Sequence, residues 1–91
     1  MEESKIRLPK EGEVLGVVEQ MLGFDRLSVR CKDGHVRVCR IPGRLKKRMW
    51  MSEGDVVLVK PWIVQSDEKG DIVTVYSKAE VEILRKMKLL E

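Results

Sequence analysis

The sequence predicts an all-β fold, a small five-stranded barrel, followed by one C-terminal helix. Glycines recur at intervals of roughly ten residues, and the segments between them are rich in Val, Leu and Ile. Short strands at such spacing are typical of small barrels and sandwiches. The Asp33-Gly34 pair, between two alternating segments, is a strong hairpin signal. With 91 residues, of which 43% are apolar, the chain suits one domain with one modest core.

Five strands are predicted, at 13–22, 26–32, 35–41, 55–62 and 71–76. Gly16 is expected to bend the first strand so that it serves two sides of a barrel. Residues 44–50 lack strand alternation and contain good helix formers, so they predict a short helical turn between strands three and four. Five strands with an element inserted at that position are the plan of the OB-fold.

The two ends of the chain differ from the predicted barrel at 12–76. Residues 1–11 are polar and contain Pro9, which predicts a flexible lead-in. Ser77 and Glu80 have the spacing of a capping box, so a helix is predicted within 77–91. Its apolar stripe consists of Ala79, Ile83, Leu84, Met87 and Leu90. We expect this stripe to pack on the barrel, and docking of a partner is the alternative.

Positive charge is concentrated in one segment. Between Arg26 and Arg48 there are nine lysines and arginines and one acid, Asp33, so this segment carries +8 whereas the rest of the chain carries −5. Such segregation causes self-repulsion in the folded state and therefore indicates an anionic partner. In a small basic protein the commonest such partner is a nucleic-acid backbone.

The predicted hairpin sorts this charge onto one face. If Asp33-Gly34 is a two-residue turn, Arg30 lies opposite Arg37. One face then holds Arg26, Ser28, Arg30, Lys32, His35, Arg37 and Cys39, and the core face holds Leu27, Val29, Cys31, Val36 and Val38. Opposed arginines are unfavourable unless an anion lies between them, which favours binding. The alternative is a solvated edge that discourages aggregation, and the register does not explain Arg40, which falls on the core face.

A second basic element follows the hairpin. Leu45 and Met49 are spaced to anchor a turn, from which Arg44, Lys46, Lys47 and Arg48 would project toward phosphate oxygens. Trp50 and Trp62 are each suited either to stack on a base or to anchor the core. Trp62 shares the strand phase of Lys60, which predicts partial exposure.

Metal and enzymatic chemistry find little support. Cys31 and Cys39 are eight residues apart with no second pair and one histidine, His35, so we predict buried thiols rather than a metal site or a disulfide. Catalytic motifs and an imidazole-based acid–base pair are absent from the sequence. We therefore expect a binding protein without cofactor or metal. The sequence also contains neither a secretory signal nor a membrane-spanning stretch, so the expected compartment is the cytoplasm.

Three ordered motifs together resemble the translation initiation factor 1A family over roughly residues 12–90. They are Cys31-x-Asp33-Gly34-x-x-Arg37, Ile41-x-Gly43-Arg44-Leu45-Lys46-Lys47-Arg48-x-Trp50 and Gly54-Asp55-Val56-Val57-Leu58-Val59. The helix after the barrel is similar to that of the archaeal and eukaryotic branch, and the missing long charged tails indicate the archaeal-type short form.

The resemblance implies a non-enzymatic, S1-like OB-fold protein that binds the A site of the small ribosomal subunit. It implies that the chain, as a monomer, acts with other initiation factors to promote initiator-tRNA binding and start-codon selection. The implied rRNA contacts are Arg30, Arg37, Arg44, Lys46, Lys47, Arg48 and Trp50, with Arg26, Arg40, Lys60 and Trp62 as further candidates. A generic single-strand-binding OB protein and a protein-binding adaptor that uses the helix remain the alternatives.

Overall fold

Five strands close into a barrel in the computed structural model, which describes residues 6–43 and 51–90. The elements are β1 (Val14–Gly23), β2 (Arg26–Cys31), β3 (Val36–Arg40), β4 (Val56–Pro61), β5 (Lys69–Val75) and α1 (Lys78–Lys86). The strand order is β1-β2-β3-β5-β4, and β4 pairs again with β1. Every pairing is antiparallel except β3 with β5. This architecture confirms the predicted OB-fold, while the predicted turn at 44–50 lies outside the described residues.

The long first strand serves two sides of the barrel, as predicted. Gly16 pairs with Cys31 of β2 on one side and with Val57 of β4 on the other. A Cβ atom at Gly16 would lie 2.5 Å from Cγ1 of Val29 and 2.9 Å from the carbonyl oxygen of Arg30. Only glycine allows the two strands to approach so closely, and two register shifts further along β1 add curvature.

Two apolar clusters stabilise the fold. The first fills the barrel and consists of Val18, Leu27, Val29, Cys31, Cys39, Val57, Val59 and Ile72. The second lies between barrel and helix and consists of Leu15, Val56, Leu58, Tyr76 and Leu84. Alternate residues of β4 thus enter the two clusters. Because both faces of β4 are covered, its apolar residues are continuous in the sequence.

The hairpin of β2 and β3 is present, but its predicted register is wrong by one residue. Val29 lies opposite Arg37, and Arg30 lies opposite Val36. The backbone N–H of Cys31 donates to the carbonyl of His35 at 2.9 Å, which leaves a three-residue loop, 32–34, rather than a two-residue turn. Gly34 ends that loop with φ +94°, the left-handed conformation that such loops require.

A slip of one residue exchanges the two faces of β3. Arg37 and Cys39 therefore point inward, whereas Val36 is 48% exposed and Arg40 faces solvent. Cys31 and Cys39 share the interior, contrary to the prediction that they lie on opposite faces. Both thiols are free and buried, as expected, and burial raises the pKa of Cys39 to about 12.

The C-terminal helix has the predicted capping box but buries a different face. The hydroxyl of Ser77 accepts from the N–H of Glu80, whose carboxylate accepts from the N–H of Ser77. Leu84 is buried as expected, and Leu90 is partly buried. The other three stripe residues, Ala79, Ile83 and Met87, are exposed, so that part of the prediction is wrong.

The reason is the way in which the helix ends. Lys88 adopts φ 62°, and the N–H groups of Lys88 and Leu89 donate to the carbonyls of Arg85 and Leu84. This is a Schellman turn, which carries Leu89 back onto the second cluster beside Leu84. The prediction extended the helical period through residue 90, beyond the point where the helix ends.

Residues 6 and 7, within the predicted lead-in, contact the barrel. Ile6 packs on the second cluster, and the Tyr76 hydroxyl donates to the carbonyl oxygen of Arg7. The guanidinium of Arg7 pairs with Glu13 at 2.9 Å. Burial raises the pKa of Tyr76 to about 12.

Candidate nucleic-acid interface

Two arginines face each other at one end of the barrel. Arg26 of β2 pairs directly with Arg40 of β3, and both side chains are exposed. The shifted hairpin register thus moves the opposed arginine pair from residues 30 and 37 to residues 26 and 40. Like charges directly opposite each other are unfavourable unless an anion lies between them, so this position is suited to a phosphate group.

Asp71 connects this arginine pair to Trp62. The Nε1–H of Trp62 donates to Asp71 at 3.0 Å, and Nε of Arg40 lies 3.4 Å from the same carboxylate. The Arg40 guanidinium lies 5.5 Å from the centroid of the Trp62 ring. One carboxylate therefore orients both a cation and an aromatic ring. Lys60, opposite Asp71 on the neighbouring strand, adds a further positive charge.

We call Arg26, Arg40, Lys60, Trp62 and Asp71 the Arg40–Trp62 cluster. Within the described residues, two large clefts open at it, beside a smaller one lined by Arg26, Arg40 and Trp62. One, of about 470 Å³, is lined by Arg26, Arg40 and Asp71, together with Phe24, Asp25 and the residues 41–43. The other, of about 520 Å³, is lined by Arg40, Lys60, Trp62 and Asp71 with Pro61 and Ile63. The cluster thus offers three cations, one carboxylate and an accessible indole ring.

Among the residues that the structure describes, Arg40 makes weak contacts. An exposed cation–π contact stabilises by about 0.5–1 kcal/mol, and an exposed ion pair by less than about 1 kcal/mol. The side chain of Arg40 retains 60% of its exposure. Little free energy is therefore lost when its guanidinium turns from Asp71 or Trp62 toward a phosphate, while the neighbouring strands keep its backbone in place.

Arg37, one of the predicted rRNA contacts, is engaged inside the protein. It is 3% exposed, and its guanidinium donates to both carboxylate oxygens of Asp33, at 3.1 and 2.9 Å, and to the carbonyl of Ser66. These bonds join the β2–β3 loop to the β4–β5 loop. They raise the pKa of Arg37 and lower that of Asp33. Because its donors are occupied inside the protein, we leave Arg37 out of the interface.

The remaining predicted residues lie apart from the cluster or outside the described structure. Arg30 is exposed, but it pairs with Glu19 at 2.6 Å and lies four residues, about 13 Å, along β2 from Arg26. Gly43 lines the first cleft, and the chain continues from it into the basic segment. The predicted contacts Arg44, Lys46, Lys47, Arg48 and Trp50 lie outside the described residues.

Two residues of this site were missed from the sequence. Asp71 has no local sequence signal, because it meets Arg40 only through the parallel pairing of β3 with β5, which brings together positions 31 residues apart. Phe24 does have a sequence signal, because it is an aromatic residue next to Asp25 in the predicted turn between the first two strands. Within 6–43 and 51–90, no three metal-ligating side chains come together, and no helix is both long and apolar enough to cross a membrane.

Solved structures resemble the barrel. One is the solution structure of bacterial-type translation initiation factor 1 from the Wolbachia endosymbiont of Brugia malayi, with a TM-score of 0.56 and 26% identity over 72% of this chain and 78% of that chain. Another is YjeQ from Thermotoga maritima, with a TM-score of 0.58 over 71% of this chain and 23% of that chain. At 19% identity, this second likeness concerns the fold alone.

Sequence comparisons identify the family. Translation initiation factor 1A from Methanothermobacter thermautotrophicus is 59% identical over 76 residues, which are 84% of this chain and 77% of the relative. The factor of the same name from Methanopyrus kandleri is 58% identical over 90% of this chain and 73% of the relative. The family model described as translation initiation factor 1A / IF-1 matches residues 3–91. The chain therefore belongs to this family of non-enzymatic translation initiation factors, as its sequence motifs predicted.

Proposed function

We propose that this initiation factor binds rRNA at the A site of the small ribosomal subunit through the Arg40–Trp62 cluster. There it promotes initiator-tRNA binding and start-codon selection together with other initiation factors. It acts as a monomer in the cytoplasm, where ribosomes are found. The observation that carries the proposal is the opposed pair of Arg26 and Arg40 beside the indole ring of Trp62.

The cations and the aromatic ring of the cluster are suited to different parts of an RNA strand. Arg26, Arg40 and Lys60 are suited to neutralise phosphates, which supplies most of the affinity and makes it dependent on salt. The half-buried ring of Trp62, fixed by Asp71, is suited to stack on a base. The basic side chains Arg44, Lys46, Lys47 and Arg48 and the ring of Trp50 complete the proposed interface, with Arg30 as an outlying contact.

A generic single-strand-binding function is the second candidate. It is favoured by the same observation, because cations beside an aromatic ring bind RNA or DNA without regard to sequence. The two functions differ in the partner they require. A ribosomal factor recognises the folded structure of the subunit, whereas a generic binder requires only a flexible single strand.

Competition between subunits and RNA separates the two candidates. The chain is sedimented with isolated small ribosomal subunits in the presence of excess single-stranded RNA. We expect stoichiometric binding that survives the excess. Equal affinity for the competitor would instead establish the generic function.

A charge-reversed loop tests the part of the proposal that rests on sequence. The variant Lys46→Glu/Lys47→Glu/Arg48→Glu is expected to fold normally and to lose subunit binding, because three phosphate contacts become repulsive. Undiminished binding would show that the loop is not part of the interface. The exposed helix residues Lys78 and Lys86 provide a control: Lys78→Glu/Lys86→Glu also reverses charge, but away from the cluster.

A further inference from the structure

The turn between β1 and β2 holds an aromatic residue in an unfavourable conformation. Phe24 and Asp25 are its two central residues, with φ 51° and 61°, and the flanking Gly23 pairs with Arg26. Two-residue hairpin turns with positive φ at both positions favour Asn, Asp and Gly. At positive φ the Cβ atom of Phe crowds the neighbouring carbonyl, so Phe is energetically unfavourable in this backbone conformation.

Contacts within the described structure do not offset this strain. Phe24 is 96% exposed, so almost none of its ring is covered by the described residues. The ring also leaves a large apolar surface in water, which is a second unfavourable contribution. Within 6–43 and 51–90, stability therefore gives no reason for Phe at this position. A strained residue at a binding cleft points instead to a role in binding.

The ring lies at the cleft that contains the opposed arginines. Phe24 lines this cleft with Arg26, Arg40, Asp25 and Asp71, and Trp62 lines a second cleft that shares Arg40 and Asp71 with the first. An apolar protein partner would have to cover the carboxylates of Asp25 and Asp71 in this cleft, and aspartate is depleted at protein interfaces. An unpaired nucleotide fits better, because its base covers the ring while its phosphate meets the arginines.

We propose that Phe24 is a second base-stacking residue of the rRNA interface, at a cleft that shares Arg40 with the cleft of Trp62. This inference rests on the proposed function and extends it. The chain offers two aromatic surfaces at neighbouring clefts that share a phosphate-binding arginine. Such an arrangement selects unpaired nucleotides, because bases inside a duplex expose no free face to an aromatic side chain.

The test measures affinity for small ribosomal subunits from Methanothermobacter thermautotrophicus over a series of salt concentrations. Phe24→Asn and Phe24→Leu are expected to weaken binding by roughly 5- to 150-fold, the range for loss of one stacked base. The slope of log affinity against log salt should stay unchanged, because the ring carries no charge. Phe24→Tyr should bind like the wild type. Ile83→Ala, which truncates an exposed apolar side chain on α1, is the control that should bind normally.

Thermal unfolding of the same variants provides the second measurement. Phe24→Asn should melt at the same temperature as the wild type or higher, because Asn tolerates positive φ better than Phe. A clearly lower melting temperature would make Phe24 a structural residue and overturn the inference.

The possible failures can be told apart. If Phe24→Asn binds as the wild type does, the ring is not at the interface. If Phe24→Leu retains affinity while Phe24→Asn loses it, the contact is apolar rather than stacked, and a protein partner replaces the base. Each of these results overturns the inference and leaves the proposed function intact. Failure of the wild type to bind subunits would overturn the proposed function, and the inference with it.

Discussion

Arg37 and Arg40 lie three residues apart on β3, but they belong to two different parts of the molecule. Arg37 points inward and is bound by Asp33 and the Ser66 carbonyl. Arg40 points outward and is held by an exposed ion pair and a cation–π contact. The first arginine connects two loops, whereas the second is free to exchange its partners for a ligand. Positive charge in a sequence therefore does not identify a binding residue until the strand register is known.

Among the tests of this register, thiol reactivity should show the largest effect. Cys39 points inward on the same face as Arg37, so we expect its native thiol to react with a thiol reagent at least about 1,000-fold more slowly than in the unfolded chain. Raised pKa values of Cys31 and Cys39 act in the same direction, because the thiolate is the reactive form. A Val36→Cys variant, at an exposed position, should react quickly. Fast reaction of Cys39 beside slow reaction of Cys31 would restore the two-residue turn, because that register exposes Cys39 and buries Cys31.

Loss of the buried arginine should be the largest effect on stability. Arg37→Gln removes two charge-assisted hydrogen bonds to Asp33 and one to the Ser66 carbonyl. Hydrogen bonds to charged groups contribute about 1.5–3 kcal/mol, so we expect a loss of about 2–3 kcal/mol. Urea unfolding measures this change. Arg30→Gln, which breaks the exposed pair with Glu19, is the matched control and should cost less than about 1 kcal/mol. Equal stability of the two variants would contradict the structural role of Arg37.

The reverse pattern is expected at Arg40. Arg40→Gln should change stability by less than about 1 kcal/mol, because its contacts are exposed. Its affinity for small subunits should fall by roughly tenfold, and the salt slope should decrease by about 1. Lys86→Gln removes the same charge from the helix and should retain affinity. If both variants bind equally, Arg40 is not a phosphate contact.

A smaller effect is expected in acid. Hydrogen bonds from Arg37 lower the pKa of Asp33 in the folded state, so the unfolded state binds the proton more readily. The resulting stabilisation is present above the unfolded pKa of about 3.9 and is lost as pH falls through the folded value. As the pH falls below 5, the free energy of unfolding of the Asp33→Asn variant should therefore decrease less than that of the wild type. Identical pH dependence of urea unfolding in the two proteins would exclude this contribution.

Local patterns were sufficient to predict much of the fold. Alternation in β2 and the continuous apolar run of β4 predicted strands, and the Ser77/Glu80 pair predicted the start of the helix. These features depend on neighbours in the chain, so the sequence contains them directly. The Gly16 prediction was similar, because a glycine in a strand marks a close approach of two backbones.

The errors come from features that depend on a single residue or on distant contacts. An Asp-Gly pair fits both a two-residue turn and the end of a three-residue loop, and the choice between them decides which face every residue of β3 occupies. The predicted register placed the charged residue Arg40 on the core face, and this misplacement indicated that the register was wrong. The contact of Trp62 with Asp71 and Arg40 depends on the closure of the barrel, which no local pattern encodes.

The most direct measurement is a cryo-electron microscopy structure of this chain bound to the small ribosomal subunit. The proposed interface predicts that the chain occupies the A site, with Arg40 within hydrogen-bonding distance of an rRNA phosphate and Trp62 stacked on a base. Arg37 should remain paired with Asp33. A bound chain whose Arg40–Trp62 cluster faces solvent, or one that lies elsewhere on the subunit, would contradict it.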